Sequence, residues 1–277
     1  MTARDKLREL KPPLFARLAQ RVRGGAAGSA YGLSGDFHTW DEALAASSGY
    51  DGEVILEKTR TALLKVKSGQ AAYERDSVLF DEIEYSWPVL AGLLWVAARC
   101  GGRLDVLDFG GSLGSAYFQN RAFLAALPEV RWNIVEQARH VETGKTYFAD
   151  ERLRFYDDIA GCLAETRPNV VLLGSVLQYL ERPYAILDEL LALPCDHLIV
   201  DRTPFWSGAD DRLCVQTVPP SIYAASYPSW VFSRGRLRER LRHDWEIVAA
   251  FDDADEVPAP VKVVYEGAVF VRRNTLS

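Results

Sequence analysis

From Gly101 onward the chain alternates short apolar, β-branched runs with helix-length stretches, and this rhythm constrains the fold more than any other feature of its 277 residues. The runs fall at 104–109, 132–136, 153–156, 170–173 and 197–201; the spacing predicts helices between them near 114–127, 138–150, 158–166 and 181–193. Parallel strands need a long crossover, and a helix supplies one that is right-handed. The pattern therefore reads as a parallel sheet with helices on both faces. After Pro204 the chain is aromatic-rich and reads as irregular up to Trp230. A helix at about 234–242 follows, then extended runs at 245–251 and 261–271 that read as a closing antiparallel pair. The expected fold is α/β: a doubly wound, mostly parallel seven-stranded sheet of Rossmann-like type with a hairpin edge.

The first hundred residues have another character. Seven Lys or Arg stand against Asp5 and Glu9 in the first 23 residues, and 14–22 carries apolar residues at helical spacing. Such a basic helix either packs on the domain or makes weak peripheral contact with an anionic membrane or acidic partner. A glycine joint at 24–29 follows, then a helix at about 55–67 and a long helical zone from about 73 to 100. The expected organisation is a helical extension and lid over 1–100 and a main domain over 101–277, with a cap insertion at about 203–232.

Composition narrows the function. A formal net charge of −6 argues against binding nucleic acid through the whole surface. The longest apolar run, 89–98, is too short to span a membrane. The first residues lack the apolar core of a secretory signal, so a cytoplasmic location is expected. Cys100, Cys162, Cys195 and Cys214 are far apart in sequence, which speaks against a zinc knuckle or disulfide framework, and no metal is expected.

The segment LDVLDFGGSLGS follows the first strand and opens a helix. Glycine at Gly110, Gly111 and Gly114 lets the backbone turn tightly and admits a ligand closely. Free amides at the helix start favour a polar or anionic group. Neither the dinucleotide fingerprint GxGxxG nor the phosphate loop GxxxxGK[ST] fits. What fits is an acid at the strand end with small residues at alternate positions: Asp108, Gly110, Ser112 and Gly114. This resembles motif I of the class I S-adenosylmethionine-dependent methyltransferases, D/ExGxGxG, with Ser112 in place of the middle glycine. Glu136, 22 residues beyond Gly114, ends the second strand, where a carboxylate accepts both hydroxyls of a ribose. Its alternative is a surface acid at a helix start.

The resemblance extends further. In that class an acid after the third strand accepts the adenine amino group; Asp157 and Asp158 are the candidates, with Ile159 against the ring. Either aspartate could equally be a helix cap. NVVLLGSVLQYLERP resembles motif IV of small-molecule methyltransferases, which implies Ser175 near the cofactor and Gln178 and Tyr179 at the reaction centre. The ordered set DFGGSLGS, WNIVEQ, RFYDDI, GSVLQYLERPY, DRTPF and VPPSIYAASYPSWVFS resembles a methyltransferase family often found among bacterial surface-polysaccharide genes. FHTWDEA and YERDSVLFDEIEYSW carry the likeness upstream to about residue 37. The implied cofactor is S-adenosyl-L-methionine, and the expected partner is a small-molecule acceptor such as a sugar or sugar conjugate, methylated on oxygen.

Methyl transfer from a sulfonium needs alignment and exclusion of water more than acid–base machinery. Asp201, Tyr227 and His38 are the candidate catalytic groups, with Asp201 placed to orient or deprotonate a hydroxyl. Arg202 is a candidate for an acceptor phosphate or carboxylate. Tyr223 and Trp230 supply stiff walls in the cap, and Tyr85 a further substrate contact. Tyr73 and Arg75 would close over the cofactor, with Arg75 on the methionine carboxylate. The alternatives are a structural Asp201–Arg202 ion pair and a satellite core of aromatics. Two rival functions share these features: a nicotinamide-dependent oxidoreductase and a non-catalytic scaffold of the same fold. Acceptor identity and oligomeric state lie beyond the sequence.

Overall fold

The alternation after residue 101 builds the sheet that its rhythm predicts. The structure is a computed structural model that describes residues 31–49, 52–219, 222, 224–253, 255 and 257–273. The basic segment, the glycine joint and Tyr223 lie outside the described residues. Five parallel strands form the centre: β4 (Arg103–Phe109), β5 (Glu129–Val135), β6 (Leu153–Tyr156), β7 (Val170–Gly174) and β8 (His197–Trp206). Their crossovers are α4 (Ser115–Leu124), α5 (Ala138–Tyr147), α6 (Ile159–Glu165) and α7 (Pro183–Leu191). After α8 (Arg234–Leu241), β11 (Trp245–Asp252) and β12 (Val264–Arg272) close the edge, with β12 antiparallel to β8. The seven strands stand in the order β6-β5-β4-β7-β8-β12-β11.

Burial explains why this order holds. The five central residues of β4 are all buried, as expected of a strand covered on both faces. On one side β4 and β5 pack under α3 (Trp87–Arg99), whose Val89, Leu90, Leu93, Val96 and Ala97 form an apolar stripe at helical spacing. Gly92 lies in the same stripe; a Cβ there would stand 2.8 Å from Val269 Cγ2, so the missing side chain lets α3 settle onto the sheet. At the amino ends of the strands, Asp105 accepts from Asn133 Nδ2 at 2.7 Å while Asn169 Oδ1 accepts its backbone N–H at 2.9 Å. That buried polar group is partnered within the chain and serves the frame.

Two regions depart from the expectation. The zone 73–100 is not continuously helical. After α1 (Trp40–Ala46) and α2 (Gly52–Lys67), a hairpin forms from β2 (Tyr73–Arg75) and β3 (Val78–Phe80), and α3 begins only at Trp87. Asp76 and Ser77 make its two-residue turn with φ of 52° and 67°; two left-handed residues in succession mark a primed turn, normally built with Asn or Gly. Nor is 204–230 irregular. Strand β8 runs on to Trp206, and β9 (Arg212–Thr217) and β10 (Ser226–Ser233) form an antiparallel pair. β1 (Gly32–Phe37) adds to β9, and β10 pairs parallel with the end of β8 at Phe205 and Trp206, so these three strands extend the same sheet. Pro204 does not end β8, because its partner there is Tyr265 of β12 and the pairing continues to Phe205.

Candidate functional site at the carboxyl edge of the sheet

Parallel strands deliver their following loops to one edge, and the residues singled out by sequence collect there. Phe109 at the end of β4 lies beside Val135 at the end of β5. The next residue, Gly110, donates its N–H to Val135 O at 2.9 Å. Gly110 has φ of +72°, and a Cβ there would fall 2.3 Å from Val176 Cγ2, so only glycine lets the loop turn beneath the end of β7. Ser112 is also left-handed at φ 52°, and Gly114, at φ 101°, precedes α4 without a side-chain cap. The first amides of that helix are thus left to other partners.

Asp108 lies under this loop rather than in its mouth. Its Oδ2 accepts from Trp132 Nε1 at 2.8 Å, and a Cβ on Gly111 would strike its carboxylate. Burial pushes its pKa up to about 7; the indole bond opposes that shift and the nearby Glu136 adds to it. Glu136 is half-buried, and one of its oxygens accepts the Gln137 N–H at 2.6 Å.

The acids after β6 divide. Asp158 caps α6, its Oδ1 accepting the Gly161 N–H at 2.6 Å, so its side chain serves the helix. Asp157 is exposed, 3.9 Å from Lys145 Nζ, and Ile159 is buried in the core. At the end of β7, Ser175 takes φ 57° and its N–H donates to Asp201 O. Gln178 is fully buried beneath it and donates to Ser175 Oγ at 2.8 Å, leaving Gln178 Oε1 without a partner. Gln178 therefore positions Ser175 from below instead of facing outward. Tyr179 remains partly exposed, donates to Gln216 Oε1 at 3.1 Å and meets Tyr227 edge-on at 5.3 Å.

Next to these rings lies a cluster of charges that sequence reading only half found. β12 advances two residues from Glu266 to Ala268 while β8 advances three, from Thr203 back to Val200. The extra residue is a bulge, and Arg202 sits in it at φ 49°. Neighbouring strand residues normally face opposite ways; the bulge brings Asp201 and Arg202 together at 3.5 Å. Asp76 at the tip of the hairpin reaches both guanidiniums, 3.5 Å from Arg75 Nε and 3.8 Å from Arg202 Nη1. Arg75 also pairs with Asp255, which arrives from the loop between β11 and β12. Asp201 Oδ1 and Asp255 Oδ1 are buried and have no hydrogen-bond partner among the described residues. Burial raises the pKa of both carboxyl groups against the pull of the arginines.

The hairpin is fastened to the glycine loop by Glu74. One of its oxygens accepts the Ser77 N–H at 2.7 Å and holds the strained turn; the other accepts the Ser115 hydroxyl at the start of α4. Burial pushes the Glu74 pKa up to about 7 despite those two bonds. Tyr73, also buried, accepts from Gln119 Nε2 at 3.2 Å, and its phenol is pushed up to about 12 by burial. All five non-glycine residues with positive φ among those described, Asp76, Ser77, Ser112, Ser175 and Arg202, belong to this edge or to the hairpin over it. Such strain persists where the surroundings over-determine it, and it concentrates at functional sites.

Several expected roles change. Arg75 is committed to Asp255 and Asp76 and is not free for a carboxylate ligand. Arg202 is likewise shared between Asp201 and Asp76. Tyr85 packs at a tilt on Trp87 and edge-on against Phe123, about two turns down α4 from the loop. His38 is exposed, its backbone N–H meeting Glu42 Oε2 in the capping box of α1; no hydrogen bond among the described residues joins its ring to the cluster. Trp230 stacks on Trp40 and donates Nε1 to Leu180 O at 3.0 Å, so it braces β10 against α1 and the turn after β7. Sequence reading missed Glu74, Asp76 and Asp255. Only YERDS held a usable signal, three charged residues in succession after a tyrosine; Asp255 arrives by tertiary folding alone.

Among the described residues no group of His, Cys, Asp and Glu is arranged to hold a metal ion, and no helix is long and apolar enough to cross a membrane. No model of a known family and no curated protein matches the chain. Solved structures do. The N-terminal domain of EvdMO1, crystallised in the presence of SAH and D-fucose, is 16% identical over 81% of this chain and 98% of its own, with a TM-score of 0.46. Magnesium protoporphyrin IX methyltransferase (ChlM) from Synechocystis PCC 6803 with bound SAM is 14% identical over 81% and 99%, at 0.43. The LepI complex with SAM is 11% identical over 79% and 64%, also at 0.43. These are distant likenesses, and no property of those proteins is transferred to this chain by them.

Proposed function

We propose that this chain binds S-adenosyl-L-methionine at the glycine loop and Glu136 and transfers its methyl group to a small polar acceptor, a hydroxyl of a sugar or related metabolite. The observation that carries the reading is the adjacency of Gly110 and Glu136 at the ends of paired parallel strands, sealed by the Gly110 N–H to Val135 O bond. The residues present fit a nucleoside there. The loop carries no side chain at Gly110, Gly111 and Gly114, Glu136 keeps one oxygen for a ribose hydroxyl, and a Cβ on Gly174 at the end of β7 would meet nothing within 4 Å. A place in surface-polysaccharide assembly rests on the sequence resemblance alone.

When bound, the cofactor supplies a methyl carbon whose bond to sulfur breaks, with the electron pair staying on sulfur, as an acceptor lone pair forms the new bond. The protein's part is alignment and proton handling. Ser175, held in its left-handed conformation by Gln178, shapes the floor between loop and acceptor. Asp201 is a better proton acceptor than an ordinary aspartate because burial raises its pKa, and its unpartnered Oδ1 can take the hydroxyl proton. Tyr179 and Tyr227 form a wall that limits water.

Calorimetry with S-adenosylhomocysteine tests the reading. Binding in the micromolar range is expected, and Glu136→Ala weakens it tenfold or more, ~1.4 kcal/mol. Absence of both heat and thermal shift with that ligand overturns the proposal. Protection by NADH in its place would point to the oxidoreductase.

A further inference from the structure

The charged cluster carries more information about the acceptor than its residue types suggest. Both arginines are ion-paired inside the chain, Arg75 with Asp255 and Asp76 and Arg202 with Asp201 and Asp76, although Arg75 Nε makes no hydrogen bond among the described residues. An anionic acceptor would have to displace one of these carboxylates and then lie against the others. Two of the aspartates are about nine-tenths buried yet use only one oxygen each. Asp201 faces Arg202 through Oδ2 and Asp255 faces Arg75 through Oδ2, while both Oδ1 atoms lack a hydrogen-bond partner among the described residues. Gln178 Oε1 is a third buried acceptor without a donor, and its amide nitrogen already approaches the Arg202 carbonyl. Buried polar atoms are nearly always satisfied, so three unpaired acceptors on adjoining segments call for a ligand rich in donors. Beside them, Tyr179 keeps 36% of its surface exposed although its hydroxyl is fixed to Gln216. An exposed ring at the mouth offers an apolar face against which the C–H side of a ring can lie.

We propose that Asp201 and Asp255 form a two-carboxylate clamp that receives two hydroxyls of an uncharged polyol ring, with Tyr179 against its apolar face, and that this clamp excludes phosphorylated and carboxylated acceptors. The clamp deepens the transferase reading and rests on it for the identity of the site. It makes Asp255 a specificity-determining residue and reverses the expectation that Arg202 holds an acid group. Each arginine already faces carboxylates of the chain, which leaves the two Oδ1 atoms as the acceptors on offer and no unpaired cation for an anion.

The test is ligand-observed saturation-transfer NMR on the full chain, with and without S-adenosylhomocysteine. The probes are methyl α-glucopyranoside, methyl α-galactopyranoside and myo-inositol, set against glucuronate and glucose 6-phosphate. At least one neutral ring should bind tenfold or more tightly than either acid. Asp201→Asn and Asp255→Asn should each weaken that ring fivefold or more and leave homocysteine-ligand affinity within about twofold. Because Asp255→Asn unbalances a buried arginine, melting temperature is recorded for both variants; Asp201→Asn, whose cation is 3.5 Å away, is the less disruptive. The clamp is overturned if the acids bind as well as the neutral rings, if no neutral ring binds at about 10 mM, or if both variants bind it unchanged. Failure of S-adenosylhomocysteine to bind overturns the transferase reading instead, and the sugars alone then decide the clamp.

Discussion

The two halves of the candidate site are built by opposite means. The half around Gly110 to Gly114 and Glu136 is made of backbone: a turn that needs glycine, free amides at a helix start and one carboxylate at the end of the next strand. Its parts lie within one βαβ unit. The half around Asp201 and Arg202 is made of side chains drawn from a hairpin at 73–80, a bulge in β8 and a loop after β11. Its closest contact, Arg75 to Asp255, joins residues 180 apart in sequence. A local, backbone-built site tolerates change in most surrounding side chains. A cluster of buried charges does not, since each member is held in place by the others' charge.

The largest expected effect breaks the side-chain half. Arg75→Ala leaves Asp255 buried without its cation, and removal of one partner of a buried pair destabilises by about 3–5 kcal/mol. Adding Asp255→Asn to that variant should restore part of the loss, because the stranded charge goes with it. Urea denaturation of the single and double variants measures both. If the halves are separable, the folded fraction of Arg75→Ala keeps S-adenosylhomocysteine affinity within about threefold. A larger loss would return Arg75 to the cofactor role that its sequence position suggested.

Glu74 joins the halves, and its titration sharpens the comparison. Its folded pKa is raised from 4.5 to about 7, so the folded protein holds the proton more tightly than the unfolded chain. The stability it contributes is fully present below about pH 4.5 and is lost as pH rises through about 7. Glu74→Gln does not titrate. The advantage of the wild type over the variant should therefore decline by roughly 2–4 kcal/mol across that window, measured as the difference in unfolding free energy at each end. A flat difference would mean that Glu74 stays ionised and that the strap over the loop is looser than its burial indicates.

The same contrast explains what was legible in the sequence. The seven-stranded core could be read because strand runs at 104–109 and 153–156 are short, apolar and bounded by turns, and β-α alternation leaves few topologies. The glycine loop could be read because left-handed backbone and close approach restrict residue type. The hairpin at Tyr73–Phe80 was hidden because its turn is Asp76–Ser77, which lacks the glycine or asparagine that signals a primed turn; its strained φ values are stabilised from outside by Glu74. β8 beyond Asp201 was hidden because Pro204 reads as a stop, although its ring position is tolerated opposite Tyr265. Asp255 carried no local signal at all, since its significance comes only from Arg75 across the fold.

The smallest expected effect falls on the backbone-built half and tests whether its strain is needed. Ser112 occupies the left-handed region at φ 52° where the resembling motif has glycine. A non-glycine residue there costs ~1–2 kcal/mol, whereas glycine loses ~0.5–1 kcal/mol through the greater freedom of the unfolded chain. Ser112→Gly should therefore raise stability by about 0.5–1 kcal/mol, read as a rise in denaturation midpoint with an unchanged denaturant slope. Affinity for S-adenosylhomocysteine should hold or improve slightly, because the proposed binding is through the amides of the loop and the Ser112 hydroxyl makes no hydrogen bond among the described residues. A loss of affinity with gained stability would show that the serine hydroxyl itself meets the ligand. The loop would then depend on a side chain after all, and the division between the two halves would narrow at Ser112.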